Sequence, residues 1–201
     1  MTDGKSVSIV NFKTLTLVSI FAGFFHIPFH EFGHVMGFWM TGHRAAMSYA
    51  RAWPIPDGPE PFLGVLGGPL FPMILAVVSV LMIYRRCNLS VFYPLAIVGS
   101  FDRLAHYLIG RLPSDEATLA NTMEWEPHTF KYIFLAVELL LLSLVALSSL
   151  RNRINFKKAA LIVLIPILCF CVLSGLGLFV VEQFVFPEQF RIQFGHIRLL
   201  L

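Results

Sequence analysis

Residues 159–181 contain no charged side chain. A stretch of about 20 apolar residues crosses the roughly 30 Å hydrocarbon core of a bilayer as a helix. Lipid imposes the helix, because it offers no partner for open backbone N–H and C=O groups. Four more stretches of this kind come earlier, at about 15–41, 62–84, 91–112 and 132–150. Of the 201 residues, 57% are hydrophobic and 13% charged, with mean hydropathy +0.74. Soluble domains run at about 45–50% and about 25%. The balance excludes an ordinary soluble enzyme, and also a disordered chain, which needs low hydrophobicity. The sequence predicts an all-α, polytopic membrane protein of about five transmembrane helices, a single integral membrane domain over residues 1–201.

The few charges are unevenly placed. If five helices alternate, Lys5, Lys13, Arg85, Arg86, Arg151, Arg153, Lys157 and Lys158 share one side, and Asp57, Glu60, Glu116, Glu124 and Glu126 share the other. The positive-inside rule then puts the N-terminus in the cytoplasm and the C-terminus outside. A net charge of +3, scattered along the chain, argues against a nucleic-acid partner. Cys87, Cys169 and Cys171 make no disulfide framework, and the latter two read as small core residues. Residues 1–13 are polar and show no removable signal peptide.

The first apolar stretch carries unexpected chemistry. It includes FHIPFHEFGHVMGFW, with His26, His30, Glu31 and His34 at membrane depth, where ionisable residues are costly and mark function. His30 and His34 are four apart, about 40° apart around a helix, so two imidazoles can share one metal ion. Glu31 stands where it can act as general base on a metal-bound water. With 7 His in 201 residues, a chance H-E-x-x-H is expected about 1% of the time, so the motif is read as a site. His26, one turn earlier, is either a paired helix histidine or a donor near the centre. Pro28 is expected to kink the helix.

A catalytic zinc takes three protein ligands and leaves one position open. The third ligand must come from elsewhere. Asp115, Asp102 and Glu138 all offer a suitable oxygen. Alternation brings the ends of helices one and three to the same side, which favours Asp115 over Asp102, about three turns deeper. Asp102 could pair instead with Arg103 or His106, and Glu138 reads most simply as an interhelical polar contact.

HEFGH at His30 to His34, GGPLFP at Gly67 to Pro72 and LIGRLPSDE around Pro113 and Asp115 together resemble the core of the site-2 protease type of intramembrane zinc metalloprotease. The resemblance covers roughly the first 120 residues. It implies a catalytic three-helix core at about 15–120, with accessory helices at about 130–201. It implies one zinc ion per chain held by His30, His34 and Asp115, with Glu31 as catalytic base. It further implies cleavage of peptide bonds in or near transmembrane segments of membrane-protein substrates, in the cell membrane if the source is bacterial or archaeal. Pro72 and Gly110 stand where the family carries asparagine, and Glu116 replaces the usual glycine. Family members open their site towards the cytosol, whereas charge counting puts it nearer the outside.

Residues 46–53, directly after the catalytic helix, read as extended and followed by turn signals at Pro54, Pro56, Asp57-Gly58 and Pro59. They are expected to offer an edge to which an unwound substrate adds as a strand. Residues 190–194 alternate like a strand or rest on headgroups as an interfacial segment. The rival functions are a membrane scaffold that keeps the zinc site, a proton or metal transporter using the three histidines, and a membrane zinc protease with a downstream glutamate ligand. The absence of charge in 159–181 counts against the transporter.

Overall fold

A computed structural model of the chain describes residues 10–56, 58–108, 114–185 and 192–194. Among these residues lie seven α-helices: α1 (Phe12–Met40), α2 (Phe62–Tyr84), α3 (Leu89–Gly99), α4 (Asp102–Leu108), α5 (Ser114–Thr122), α6 (Thr129–Arg151) and α7 (Phe156–Leu176). The last continues as a π-helical stretch, Gly177–Val185. Helices α1, α2, α6 and α7 are long and apolar enough to cross a membrane. Leu17, Leu81, Leu140, Leu147 and Leu168 are each more than half exposed on their outer faces, as a bundle surrounded by lipid requires and a water-soluble one does not tolerate. The protein is an all-α polytopic membrane protein.

The segments alternate in direction, as expected. One end of the bundle gathers Leu15 of α1, Ile83 of α2, Leu89 and Tyr93 of α3, Val145 of α6 and Ile162 of α7 into one apolar cluster. The Asn11 N–H donates to Ser90 Oγ at 2.7 Å, and the Tyr93 hydroxyl lies 3.0 Å from Ser148 Oγ. Arg85, Arg86 and Arg153 sit in the turns at this end, and Arg151 is the last residue of α6. The opposite end is closed by Val65, Leu119, Ala120, Phe130 and Phe134.

The third segment differs from the expectation. It is not one span over 91–112 but α3 and α4, broken at Ser100 and Phe101. The Ser100 N–H turns back to the carbonyls of Ala96 and Ile97, which closes α3. Glu138 of α6 then accepts the N–H groups of Arg103 and Leu104 at 3.0 and 2.9 Å. These are donors that a new helix start leaves unpaired. A carboxylate from a neighbouring helix thus stabilises the break, and Glu138 is the interhelical contact read from the sequence. Gly110 and Pro113 lie outside the described residues.

Helix α1 runs on through Pro28. Proline has no N–H for the carbonyl four residues back, which is that of Phe24. The Tyr49 hydroxyl donates to the Phe24 oxygen at 2.5 Å. A Cβ on Gly177 would strike that phenol, so the glycine leaves the room for it. Gly175, by contrast, faces open space. Burial pushes the Tyr49 phenol up to about 12, which keeps it protonated as a donor. Tyr49→Phe is expected to lower stability by about 1–2 kcal/mol, read as a lower unfolding midpoint in detergent. An unchanged midpoint would mean that the Phe24 carbonyl has a second donor.

The extended stretch at 46–53 is a hairpin rather than one edge. Strands β1 (Arg44–Met47) and β2 (Ala52–Ile55) pair antiparallel, with Ala46 opposite Trp53. Pro54, expected in a turn, lies within β2. Strand β3 (Ile192–Phe194) pairs antiparallel on the other side of β1, with Ala46 opposite Gln193. The order is β2-β1-β3, so both edges of β1 are occupied. This favours the strand reading of 190–194, although Phe190 and Arg191 lie outside the described residues, as does Asp57.

Candidate metal centre

Glycines bring α1 and α2 together. A Cβ on Gly33 would land on the Gly67 carbonyl, and one on Gly67 would land on the Gly33 carbonyl. Gly37 abuts the Leu63 carbonyl in the same way, and Gly64 makes room for the Phe38 ring. Such close backbone approach through small residues is how helices pack in lipid. The GGP element is therefore a close-packing surface within a continuous α2, not a break in it.

This approach sets the second histidine. His34 Nδ1 lies 2.8 Å from the Gly64 carbonyl oxygen. A carbonyl only accepts, so Nδ1 carries the proton and Nε2 presents its lone pair. A Cβ on Gly68 would collide with the same imidazole. The backbone of α2 thus selects the tautomer and the ring orientation, a constraint that metal-ligating histidines regularly carry.

His30, His34 and Asp115 converge. His30 Nε2 lies 3.2 Å from His34 Nε2, and Asp115 Oδ2 lies 3.0 Å from the former and 3.6 Å from the latter. Tetrahedral zinc with bonds of about 2.0–2.2 Å spaces its ligand atoms about 3.3–3.6 Å apart. Two nitrogens and one oxygen form a triangle with edges of 3.0–3.6 Å, slightly tighter than that spacing, and the donor set suits zinc. Burial alone would raise the Asp115 carboxyl. The hydrogen bond from His30 Nε2 outweighs it and holds the group well below the usual carboxylate range.

Arg103 completes the surroundings. Its Nη2 lies 3.3 Å from Asp115 Oδ2 and 3.2 Å from His30 Nδ1. Its Nε lies 3.4 Å from Asp102 Oδ2 and 3.2 Å from Glu116 Oε1. Arginine only donates, so His30 accepts at Nδ1 and gives its Nε2 proton to Asp115; to ligate a metal through Nε2 the ring would have to move that proton to Nδ1, which would release the Arg103 N–H. One guanidinium faces Asp102, Asp115 and Glu116. Burial pushes the Glu116 carboxyl up, against the pull of Arg103, yet acidic groups still outnumber the cation. A divalent ion would offset that excess.

The other candidates do not join the donor triangle. Asp102 Oδ1 lies 3.0 Å from His26 Nε2, whose ring meets the edge of Phe170 at 5.0 Å. His26 is the paired helix histidine, and Asp102 also takes the Arg103 partner foreseen for it. The His106 side chain lies outside the described residues. Glu31 is buried on α1 at 8% exposure. As the residue three before His34, it projects about 60° from that histidine around the helix.

Two features were not read from the sequence. Helix α5, which carries Asp115 in its first turn, escaped notice, although Ser114, Asp115 and Glu116 form an acidic helix start. Arg103 was named only as a partner for Asp102. No family model, curated protein or solved structure matches the chain.

Proposed function

We propose that the chain is an intramembrane zinc endopeptidase of the site-2 protease type, hydrolysing peptide bonds in or near transmembrane segments of membrane-protein substrates. One observation carries the reading: the two histidines of a membrane-embedded H-E-x-x-H and an aspartate 85 residues away from His30 converge in a donor triangle with edges of 3.0–3.6 Å, close to the ligand spacing of zinc. When bound, the metal supplies Lewis acidity to the scissile carbonyl and acidifies water. His30, His34 and Asp115 hold it. Glu31 takes a proton from the attacking water as its oxygen adds to the carbonyl carbon, then returns that proton to the amide nitrogen as the C–N bond breaks. An unwound substrate adding to the sheet would use the outer edge of β2 or replace β3, since β1 is paired on both sides. The basic end of the bundle faces the cytoplasm by the positive-inside rule.

The test is metal analysis of the purified protein. We expect one zinc ion per wild-type chain and loss of the ion on dialysis of Asp115→Ala. Full retention by a folded Asp115→Ala would move the third ligand elsewhere, to a glutamate. A wild-type protein that takes up no divalent metal would end the proposal.

A further inference from the structure

The geometry points to Arg103 as the oxyanion donor of this centre: its guanidinium donates to the substrate oxygen that becomes negative as water adds to the scissile carbonyl. The inference rests on the proteolytic reading above. Nη2 stands at the rim of the donor triangle, 3.3 Å from Asp115 Oδ2 and 3.2 Å from His30 Nδ1. The group is held before any substrate arrives. Asp102 and Glu116 flank Nε, Glu138 accepts the Arg103 backbone N–H, and the side chain is only 4% exposed. A donor fixed in place and shielded from water needs no reorganisation as charge develops, which is what makes oxyanion stabilisation large. The positions where the resembled family carries asparagine hold Pro72 and Gly110, which have no side-chain donor. Arginine is always charged, and of its two Nη2 hydrogens one stays on Asp115 Oδ2 while the other, directed at His30 Nδ1 here, is freed for the substrate oxygen once that nitrogen carries the ring proton in the metal-loaded site.

The step balances without another reactant. The carbonyl π pair moves onto the oxygen facing Nη2–H as the water oxygen bonds to carbon. Glu31 holds the proton released. When the carbonyl re-forms, the C–N pair goes to nitrogen with that proton, and Arg103 is unchanged.

The experiment uses the full-length, zinc-loaded protein in detergent as wild type, Arg103→Lys and Arg103→Gln. Three quantities are read: zinc content, kcat and KM on a transmembrane peptide, and the affinity for the same peptide with a phosphinate in place of the scissile amide. The phosphinate is a tetrahedral anion. The lysine variant keeps the charge that offsets the buried carboxylates, so it stays readable if the glutamine variant fails to fold. We expect zinc to be retained, kcat to fall by about 10²–10³-fold, and KM to move by less than about threefold. Phosphinate affinity should fall in parallel with kcat. A folded, zinc-loaded Arg103→Lys whose phosphinate affinity equals wild type overturns the inference. So does equal weakening of peptide and phosphinate, which is the mark of a merely structural role. In both cases wild type still cleaves and the proteolytic reading stands. A wild type that neither cleaves the peptide nor prefers the phosphinate overturns both.

Discussion

On the proposed mechanism, Glu31→Gln is expected to keep one zinc ion per chain and to lower cleavage of a transmembrane peptide by about 10²–10⁴-fold, the usual contribution of a positioned general base. The substitution is nearly isosteric, so the helix and its packing survive. None of His30, His34 and Asp115 is touched, so metal binding survives. What goes is the group that accepts the water proton. Measuring zinc and cleavage on the same preparation separates this outcome from misfolding, which would remove both. It also separates the enzyme from the rival scaffold. If cells carrying Glu31→Gln keep every activity of wild type, the glutamate is not a base and the zinc site is structural.

Gly33→Ala is expected to have the largest effect on the fold itself. The new methyl would meet the Gly67 carbonyl. Because that atom belongs to a helix backbone, it cannot swing aside as a flexible side chain can. Helices α1 and α2 must separate, and overpacking of this kind costs about 1–3 kcal/mol, occasionally more. The separation also draws His34 away from the Gly64 carbonyl, 2.8 Å from its Nδ1. That frees the ring to rotate and removes the tautomer whose Nε2 lone pair faces His30 and Asp115. We expect a lower unfolding midpoint and substoichiometric zinc from one added methyl that touches no ligand. Gly67→Ala should do the same from the other helix. A stable, fully loaded Gly33→Ala would mean that α1 and α2 pack less closely than described.

These effects show why part of the molecule was legible in the sequence. Each apolar segment declares itself through its own solvation, a local property. Residues 62–84 match α2 residue for residue, and the other long helices shift by a few positions at their ends. The spacing of His30, Glu31 and His34 is equally local, since helical periodicity alone puts both imidazoles on one face. Asp115 was reachable too, because alternation of spans brings chain ends together without any knowledge of packing.

Other features depend on partners far along the chain. The third segment looks like a span by hydropathy, but Glu138 of another helix accepts the N–H groups that its break leaves open. Residues 46–53 are extended, yet hydropathy cannot say that β3 closes the second edge of β1. Pro28 announces an orphaned carbonyl, but only the fold delivers Tyr49 to it.

By itself, then, the sequence determined that this chain lives in lipid, where its four long apolar helices lie to within a few residues, and which of them carries His30, Glu31 and His34 at helical spacing. These follow from side-chain solvation and helical period, which act over one or two turns. The tertiary structure alone decided the distances within the donor triangle, the tautomer of His34, and the place of Arg103 at its rim. Those depend on how closely two helix backbones approach and on which distant carboxylates hold a buried guanidinium, and no local pattern encodes either.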